Sequence, residues 1–385
     1  MQFTSPSNLV LVTHEFFPHR GGIAVFAAEM ARAASRLGHG VEVWAPGRAA
    51  AGADEPAWPF AVKRLPMSGD HGLLSQWRMA RELLAHRARL RHATLYIPEP
   101  GPLLSMLFLQ YFKLLQPARL VLTLHGSEIL RLASRPLTRW STNRMFARAD
   151  RISVVSRFAR ELMADRFPAH SSKVVVTPGA LRPDFAAGSP VRTASSTGKI
   201  VILTVARLHP RKGQLRCLQA LTALPAAQRR QIEYWIVGGH SKENYHRALE
   251  AAARAAGFPV KFREHVADDQ LGSFYAQADI FAMTSMPHKL SVEGFGLVYL
   301  EAGAHHLPVI AHAIGGVPEA VAHEENGLLV PPDDLPGLTA AFARLIGDAA
   351  LRRRLGHHGR ARALGHTWLD AARTLFGPPT PPATA

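Results

Sequence analysis

Short apolar runs recur along this chain and alternate with longer stretches of helical periodicity. Leu9–Thr13, Val41–Ala45, Thr94–Ile97, Leu120–Leu124, Ile152–Val155 and Val174–Val176 read as buried strands, too short for helices and bounded by turn formers. Between them the spacing predicts helices from Gly21-Gly22 to Leu37, over Leu73–His92 and over Leu103–Leu115. Residues 186–198, Ala-Ala-Gly-Ser-Pro-Val-Arg-Thr-Ala-Ser-Ser-Thr-Gly, carry no period and read as a linker. The rhythm then restarts. Ile200–Val205, Glu233–Val237, Val260–Phe262, Ile280–Met283 and Val309–Ala311 are predicted strands, and helical patterns run from Leu335 to Phe376. A strand–helix rhythm of this kind predicts an α/β chain with two doubly wound parallel-sheet domains facing across a cleft, ligands binding where strand ends turn into helices.

Length agrees, since 385 residues give room for two domains. The single cysteine, Cys217, excludes an internal disulfide and fits a reducing compartment. Met1–Asn8 lacks the basic-then-apolar pattern of a signal peptide, and Leu103–Leu115, interrupted by Gln110 and Lys113, is too short to span a bilayer. The expectation is a soluble, cytoplasmic protein.

Charge adds a second theme. The formal net charge is +16, and up to Ser189 there are 24 lysines and arginines against 13 acidic residues. A basic first half suits acidic substrates, an anionic membrane surface or nucleic acid, or else reflects arginine-decorated solvated helices. No nucleic-acid module is visible, so no nucleic-acid partner is expected. Trp77–Arg91 is basic on one side and apolar on the other, as suits either a membrane surface or a helix packed on its sheet.

Candidate chemistry sits mostly at strand ends. In Ser291-Val292-Glu293-Gly294-Phe295-Gly296-Leu297-Val298-Tyr299-Leu300-Glu301-Ala302, two glutamates flank a glycine-spaced bend and a helix start. Carboxylates hold hydroxyls, and a helix N-terminus offers free N–H groups to an anion, which together suit a sugar joined to a diphosphate. An ordinary helix with a glutamate at its start and another on its solvent face has the same sequence pattern. Arg207 lies just past the strand Ile200–Val205 and Lys212 just before a helix, so two fixed cations are placed to neutralise a diphosphate leaving group. Gly21-Gly22 and Gly238-Gly239 permit close backbone approach, and Phe262–Val266 ends a strand that can meet a flat base. His125 follows Leu120–Leu124 and faces the expected cleft. No G-x-G-x-x-G fingerprint, Walker sequence, metal-ligand spacing or Asp-x-Asp is present. The last of these absences argues against holding a diphosphate through a divalent metal, and neither a metal nor a cofactor is expected.

Taken in register, these features resemble the family-4 glycosyltransferases of GT-B architecture. The early Gly-Gly, His125-Gly126, Arg207 with Lys212, Gly238-Gly239, Glu293 with Glu301, Gly315-Gly316-Val317-Pro318-Glu319, Asn326-Gly327-Leu328-Leu329-Val330 and the late Thr367-Trp368 follow the family's order. The resemblance implies a Rossmann-like acceptor domain over residues 1–185, a linker over 186–198 and a Rossmann-like donor domain over 199–365. It also implies a helix over 366–376 crossing back to the first domain, before a disordered tail over 377–385. It implies retaining transfer of a hexose from a nucleotide-diphosphate sugar, a co-substrate. The missing Asp-x-Asp adds the expectation of a metal-independent reaction, and the basic, amphipathic Trp77–Arg91 that of a lipid-linked or glycan acceptor with peripheral association at the inner leaflet.

Residue by residue, the resemblance gives Arg207 and Lys212 the diphosphate, Glu293 the sugar hydroxyls and Glu301 the ribose. His125 would sit by the sugar and acceptor. Gly21, Gly22, Gly238, Val266, Phe295, Gly296 and Leu297 would line the donor. The longer, basic segment Ser285–Leu290, with Val292-Glu293-Gly294, is similar to the phosphatidylinositol-mannoside mannosyltransferase branch, which favours GDP-mannose and leaves a UDP-hexose open. Sugar-nucleotide epimerases share the architecture and stand as the alternative.

Overall fold

The structure, a computed structural model, describes residues 8–18, 21–47, 55–70, 72–110, 115–187, 198–239, 243–264 and 266–377. The chain divides into two compact units, one formed by residues up to Gly179 with those from Thr367 onward, the other by Ala180–His366.

The first unit contains β1 (Asn8–Val12), α1 (Gly22–Arg36), β2 (Gly40–Pro46), β3 (Ala61–Leu65), α2 (Leu73–Ala85), α3 (Arg87–Leu90), β4 (Thr94–Ile97), α4 (Pro100–Leu109), β5 (Arg119–Leu124), α5 (Ser127–Ala133), α6 (Pro136–Arg148), β6 (Arg151–Val154), α7 (Arg157–Arg166) and β7 (Val174–Val176). Its seven strands pair in parallel in the order β3-β2-β1-β4-β5-β6-β7. Central strands are buried on both faces, which is why they read as unbroken apolar runs.

The second unit contains α8 (Pro183–Ala187), β8 (Ile200–Val205), α9 (Gln214–Thr222), α10 (Ala226–Arg229), β9 (Ile232–Val237), α11 (Glu243–Arg254), β10 (Val260–Arg263), α12 (Asp268–Gln277), β11 (Ile280–Met283), α13 (Leu297–Ala304), β12 (Val309–His312), α14 (Val317–Ala320), β13 (Gly327–Val330), α15 (Leu335–Gly347) and α16 (Ala349–Leu364). Its parallel sheet runs β10-β9-β8-β11-β12-β13. The last helix, α17 (Trp368–Phe376), packs on α1 of the first unit, with Trp368 edge-on to Phe26 at 5.3 Å and Phe376 edge-on to Tyr96 at 5.1 Å. Arg151 donates to the carbonyls of Leu375 and Gly377 at 3.1 and 3.2 Å, satisfying the end of α17 with a cation where the helix dipole favours one.

Several elements differ from the pattern's forecast. The stretch expected as one helix over Leu73–His92 is two, α2 and α3, because His86 leaves helical geometry at φ −103° and ψ 14°. Two strands, β3 and β13, go unpredicted. β3 is an edge strand whose middle is only half buried, so Lys63 and Arg64 interrupt its apolar pattern. β13 opens on Gly327, a weak strand former that is needed because a Cβ there would stand 2.4 Å from the Val309 carbonyl. The helix expected over Leu103–Leu115 starts earlier, at Pro100, capped by Glu99, which accepts from the Gly101 N–H. Residues 111–114 of that forecast, 188–197 of the linker and 378–385 of the tail lie outside the described residues. The segment 180–187 belongs with the second unit, where Phe185 packs edge-on against Tyr275 and His305.

Candidate functional site

In each sheet the strand order reverses at one point, between β1 and β4 in the first unit and between β8 and β11 in the second. Loops leaving adjacent strands there diverge and open room for a ligand.

At the reversal in the second unit, β8 runs into the loop Ala206–His209 and a 3-10 turn, Pro210–Lys212. Gly213 ends this turn at φ +73°, and a Cβ on it would stand 1.8 Å from the Thr284 carbonyl, so only glycine lets the β8 loop lie against the end of β11. That contact brings three donors to one carboxylate oxygen. Glu293 Oε2 accepts from Lys212 Nζ at 2.7 Å, Arg211 Nη1 at 2.8 Å and Ser285 Oγ at 3.0 Å. The Glu293 loop is held in turn by the Gly316 N–H, which donates to the Glu293 carbonyl at 2.9 Å. A Cβ at Gly315 (φ +58°) would stand 2.3 Å from that same carbonyl oxygen. Buried His312, at the end of β12, makes a 3.1 Å Nδ1 hydrogen bond with the Ser285 carbonyl.

Burial pushes the Glu293 carboxyl upward, but Lys212 and Arg211 outweigh it and hold it below the usual carboxylate range. Burial holds the Lys212 ammonium below lysine's usual range, against the opposing pull of Glu293. A buried ion pair of this kind is poor evidence of added stability, because desolvation offsets much of the attraction. What it provides is a preformed pair of cations whose counter-charge is already in place.

Glu301 lies in the second turn of α13 and is buried, accepting from the Tyr275 hydroxyl at 2.8 Å. The solvent-facing alternative for this glutamate is thereby excluded. Phe295 is buried edge-on to His366, Gly296 caps α13 at φ +88°, and Leu297 begins the helix. Gly238 has an internal reason to be glycine, since its Cβ would stand 2.2 Å from the Ala206 carbonyl. Val266 follows β10 and is half buried.

Arg207 and Lys212 both lie in the segment between β8 and α9, but only Lys212 reaches Glu293. Arg207 is exposed in its loop, where its carbonyl accepts from Gln214 Nε2 at 2.9 Å, and Arg211 is the second cation on Glu293. Sequence reasoning passed over Arg211, Ser285 and Tyr275. The adjacency of Arg211 to Lys212 was the available signal for the first, whereas the other two are brought in by tertiary packing alone.

In the first unit, His125 follows β5, and its Nε2 donates to the Pro98 carbonyl at 2.8 Å. A carbonyl can only accept, so the proton is on Nε2. Its ring packs edge-on to Phe26 at 5.1 Å, one turn into the helix that Gly22 opens. A Cβ on Gly22 would meet nothing within 4 Å, so packing among the described residues does not demand glycine there. At this unit's own reversal point, Glu99 is fully buried and accepts from the His14 N–H at 2.7 Å and the Gly101 N–H at 2.6 Å. Burial pushes its carboxyl up to about 7, against those two donors. The sequence reading did not select it.

Two doubly wound parallel-sheet units in one chain are the architecture of GT-B enzymes. The comparisons agree. Residues 20–185 match the model for Glycosyltransferase Family 4 and residues 189–362 that for Glycosyl transferases group 1. The GDP-mannose-dependent alpha-(1-6)-phosphatidylinositol monomannoside mannosyltransferase of Mycobacterium tuberculosis is 31% identical over 370 residues, covering 92% of this chain and 93% of its own. The enzyme of that name from Mycolicibacterium smegmatis is 31% identical over 377 residues, covering 92% and 94%. Among solved structures, sucrose-phosphate synthase from Thermosynechococcus elongatus superposes with a TM-score of 0.76 at 22% identity, covering 95% of this chain and 96% of that one. Anabaena HepE in complex with UDP-glucose does so with 0.73 at 18% identity, covering 96% and 98%. The chain belongs to glycosyltransferase family 4.

Proposed function

We propose that this glycosyltransferase moves a hexose, with retention of anomeric configuration and without a metal, from a nucleotide-diphosphate sugar to a lipid-linked or polysaccharide acceptor. The convergence of Lys212, Arg211 and Ser285 on Glu293 carries this reading. Lys212 and Arg211, with Arg207 at the loop's edge, would take up charge on the leaving diphosphate. Glu293, already ionised, would accept hydrogen bonds from sugar hydroxyls, with Phe295, Gly296 and Leu297 presenting backbone to sugar and phosphate. Glu301 would hold the ribose, with Gly238 and Val266 beside the base. In the first unit, Gly21, Gly22 and His125 would serve the reacting end of the donor and the acceptor. GDP-mannose is favoured as donor, because two relatives similar over nearly their whole lengths are named as GDP-mannose-dependent.

In the front-face reaction, the bond from the anomeric carbon to the phosphate oxygen breaks while the acceptor oxygen bonds to the same face. The acceptor's proton passes to the departing phosphate. No protein nucleophile is required, and the rate gain comes from orientation and from cations placed where charge develops.

A phospholipid-anchored acceptor fits both the relatives' names and the surface of the first unit, which we read as associating with an anionic membrane. Among the described residues no helix is long and apolar enough to cross a membrane. Helix α4 packs between α2 and α6, and these three carry exposed Leu73, Trp77, Leu104, Phe108, Leu137 and Trp140. Arg78, Arg81, Arg139 and Arg144 flank them, while α4 and α6 contain no acidic residue. A second copy on this surface would set arginine against arginine, whereas an anionic bilayer accepts both the apolar side chains and the cations.

The test is a panel of GDP- and UDP-sugars assayed for transfer to phosphatidylinositol-mannoside and soluble glycan acceptors, with anomer analysis of the product. Inversion, or a requirement for a divalent metal, would overturn the mechanism. Turnover of the sugar nucleotide without any acceptor would instead indicate an epimerase.

A further inference from the structure

Buried rings pack around the tyrosine whose hydroxyl reaches the second glutamate. Tyr275 has no exposed surface, and its hydroxyl donates to Glu301 Oε2 at 2.8 Å. Its ring is held on several sides. His305 stacks on it at 5.3 Å and 14°, Phe281 at 5.9 Å and 29°, and Phe185 meets it edge-on at 5.8 Å. Phe185 is also edge-on to His305 at 5.5 Å, and the Arg182 guanidinium lies 4.7 Å from the Phe185 ring centre. Phe185 belongs to α8, the segment by which the chain enters the second unit, and α8 lies against α13, the helix that carries Glu301.

We propose that Tyr275 is a positioning residue that fixes the Glu301 carboxylate for the ribose diol, and that Phe185 and His305 hold Tyr275 in place for that task. The proposal rests on the reading of Glu301 as the ribose-binding carboxylate. A diol presents two donors at a fixed separation, so the acceptor must be oriented before the ligand arrives to avoid an entropic loss on binding. A glutamate has a rotatable terminal carboxylate, and a hydrogen bond from a ring with no space to turn removes that freedom. Burial, and then the charge of Glu301, push the Tyr275 hydroxyl well above the usual phenol range, so it remains a proton donor. His305, pushed down to about 4 by burial and the nearby Arg360, stacks as a neutral ring and adds no charge beside the carboxylate.

The experiment compares GDP with 2′,3′-dideoxy-GDP, titrated by calorimetry into the full-length wild type, Tyr275→Phe and Glu301→Gln, alongside steady-state kinetics. Phenylalanine keeps the ring packing and removes only the hydroxyl. Expected for Tyr275→Phe is a loss of GDP affinity on the order of tenfold, a matching rise in donor KM and an unchanged kcat, the size of one hydrogen bond to a charged group. Affinity for the dideoxy nucleotide should equal that of the wild type. A purely structural tyrosine would instead weaken both nucleotides alike, and that result overturns the proposal. If Glu301→Gln abolishes the ribose preference while Tyr275→Phe keeps it, only the role of Tyr275 falls. If neither variant changes the preference, or the wild type has none, the ribose reading of Glu301 falls and this proposal with it. Should Tyr275→Phe fail to fold, Phe185→Leu loosens the same ring and must reduce the same preference.

Discussion

Lys212 Nζ lies 2.7 Å from Glu293 Oε2, the same oxygen that Arg211 reaches at 2.8 Å. Two cations thus share one carboxylate oxygen at the point where the strand order of the second sheet reverses. Before any ligand arrives the pair is neutralised in part by Glu293, which limits the desolvation cost of holding them ready.

Lys212→Ala is expected to lower kcat by on the order of 10²–10³, or about 2.7–4 kcal/mol, the usual cost of losing one preorganised group that stabilises developing charge. Saturating-donor turnover measures it. Near-normal turnover would mean that the leaving group departs elsewhere.

Glu293→Gln should separate binding from chemistry. Without its carboxylate, Arg211 and Lys212 lose their counter-charge, so GDP should bind at least as tightly as to the wild type. Sugar transfer should collapse, because the group assigned to the sugar hydroxyls is gone. Calorimetry with GDP beside a transfer assay checks both, and a parallel loss of both would point to local unfolding.

Glu99 makes the stability of the first unit depend on pH. Its carboxyl is pushed up from 4.5 to about 7 by burial. Between those values the folded chain holds a proton that the unfolded chain releases, so stability falls as pH rises through this window. The full contribution is about 3 kcal/mol at 1.36 kcal/mol per unit. Denaturant titrations at pH 5 and pH 7.5 should show the wild type losing about 2.4 kcal/mol relative to Glu99→Gln, because histidines held neutral by burial, such as His305, shift both proteins alike.

Flotation with vesicles containing anionic phospholipid should carry the wild type upward. Phe108→Asp with Leu137→Asp should stay at the bottom, with GDP affinity unchanged because both side chains are solvent-exposed on the first unit. Charged substitutions at an inserted face remove apolar burial and oppose the surface potential together. Equal flotation of wild type and variant would exclude this face as the docking surface.

The alternation of apolar runs with helical stretches was enough to place most strands of both sheets, because parallel strands buried on two faces read as continuous apolar runs. It passed over β3, where an edge position tolerates Lys63 and Arg64, and β13, where close approach to Val309 requires Gly327. It joined α2 to α3, since the break at His86 lies in backbone angles that periodicity does not register.

The site divides along the same line. Sequence by itself determined that Glu293, Glu301, Arg207 and Lys212 stand at strand ends and helix starts, because position relative to an element is a local property of the chain. Only the tertiary structure decided which of these groups meet. Arg211 rather than Arg207 joins Lys212 on Glu293, Ser285 arrives from the loop after β11, and Tyr275 from α12 claims Glu301. Those meetings depend on two strands being neighbours in the sheet and on glycines that let loops close to within van der Waals contact. Pairing and close approach join residues as distant as Arg211 and Glu293, 82 positions apart, and one-dimensional spacing carries no record of them.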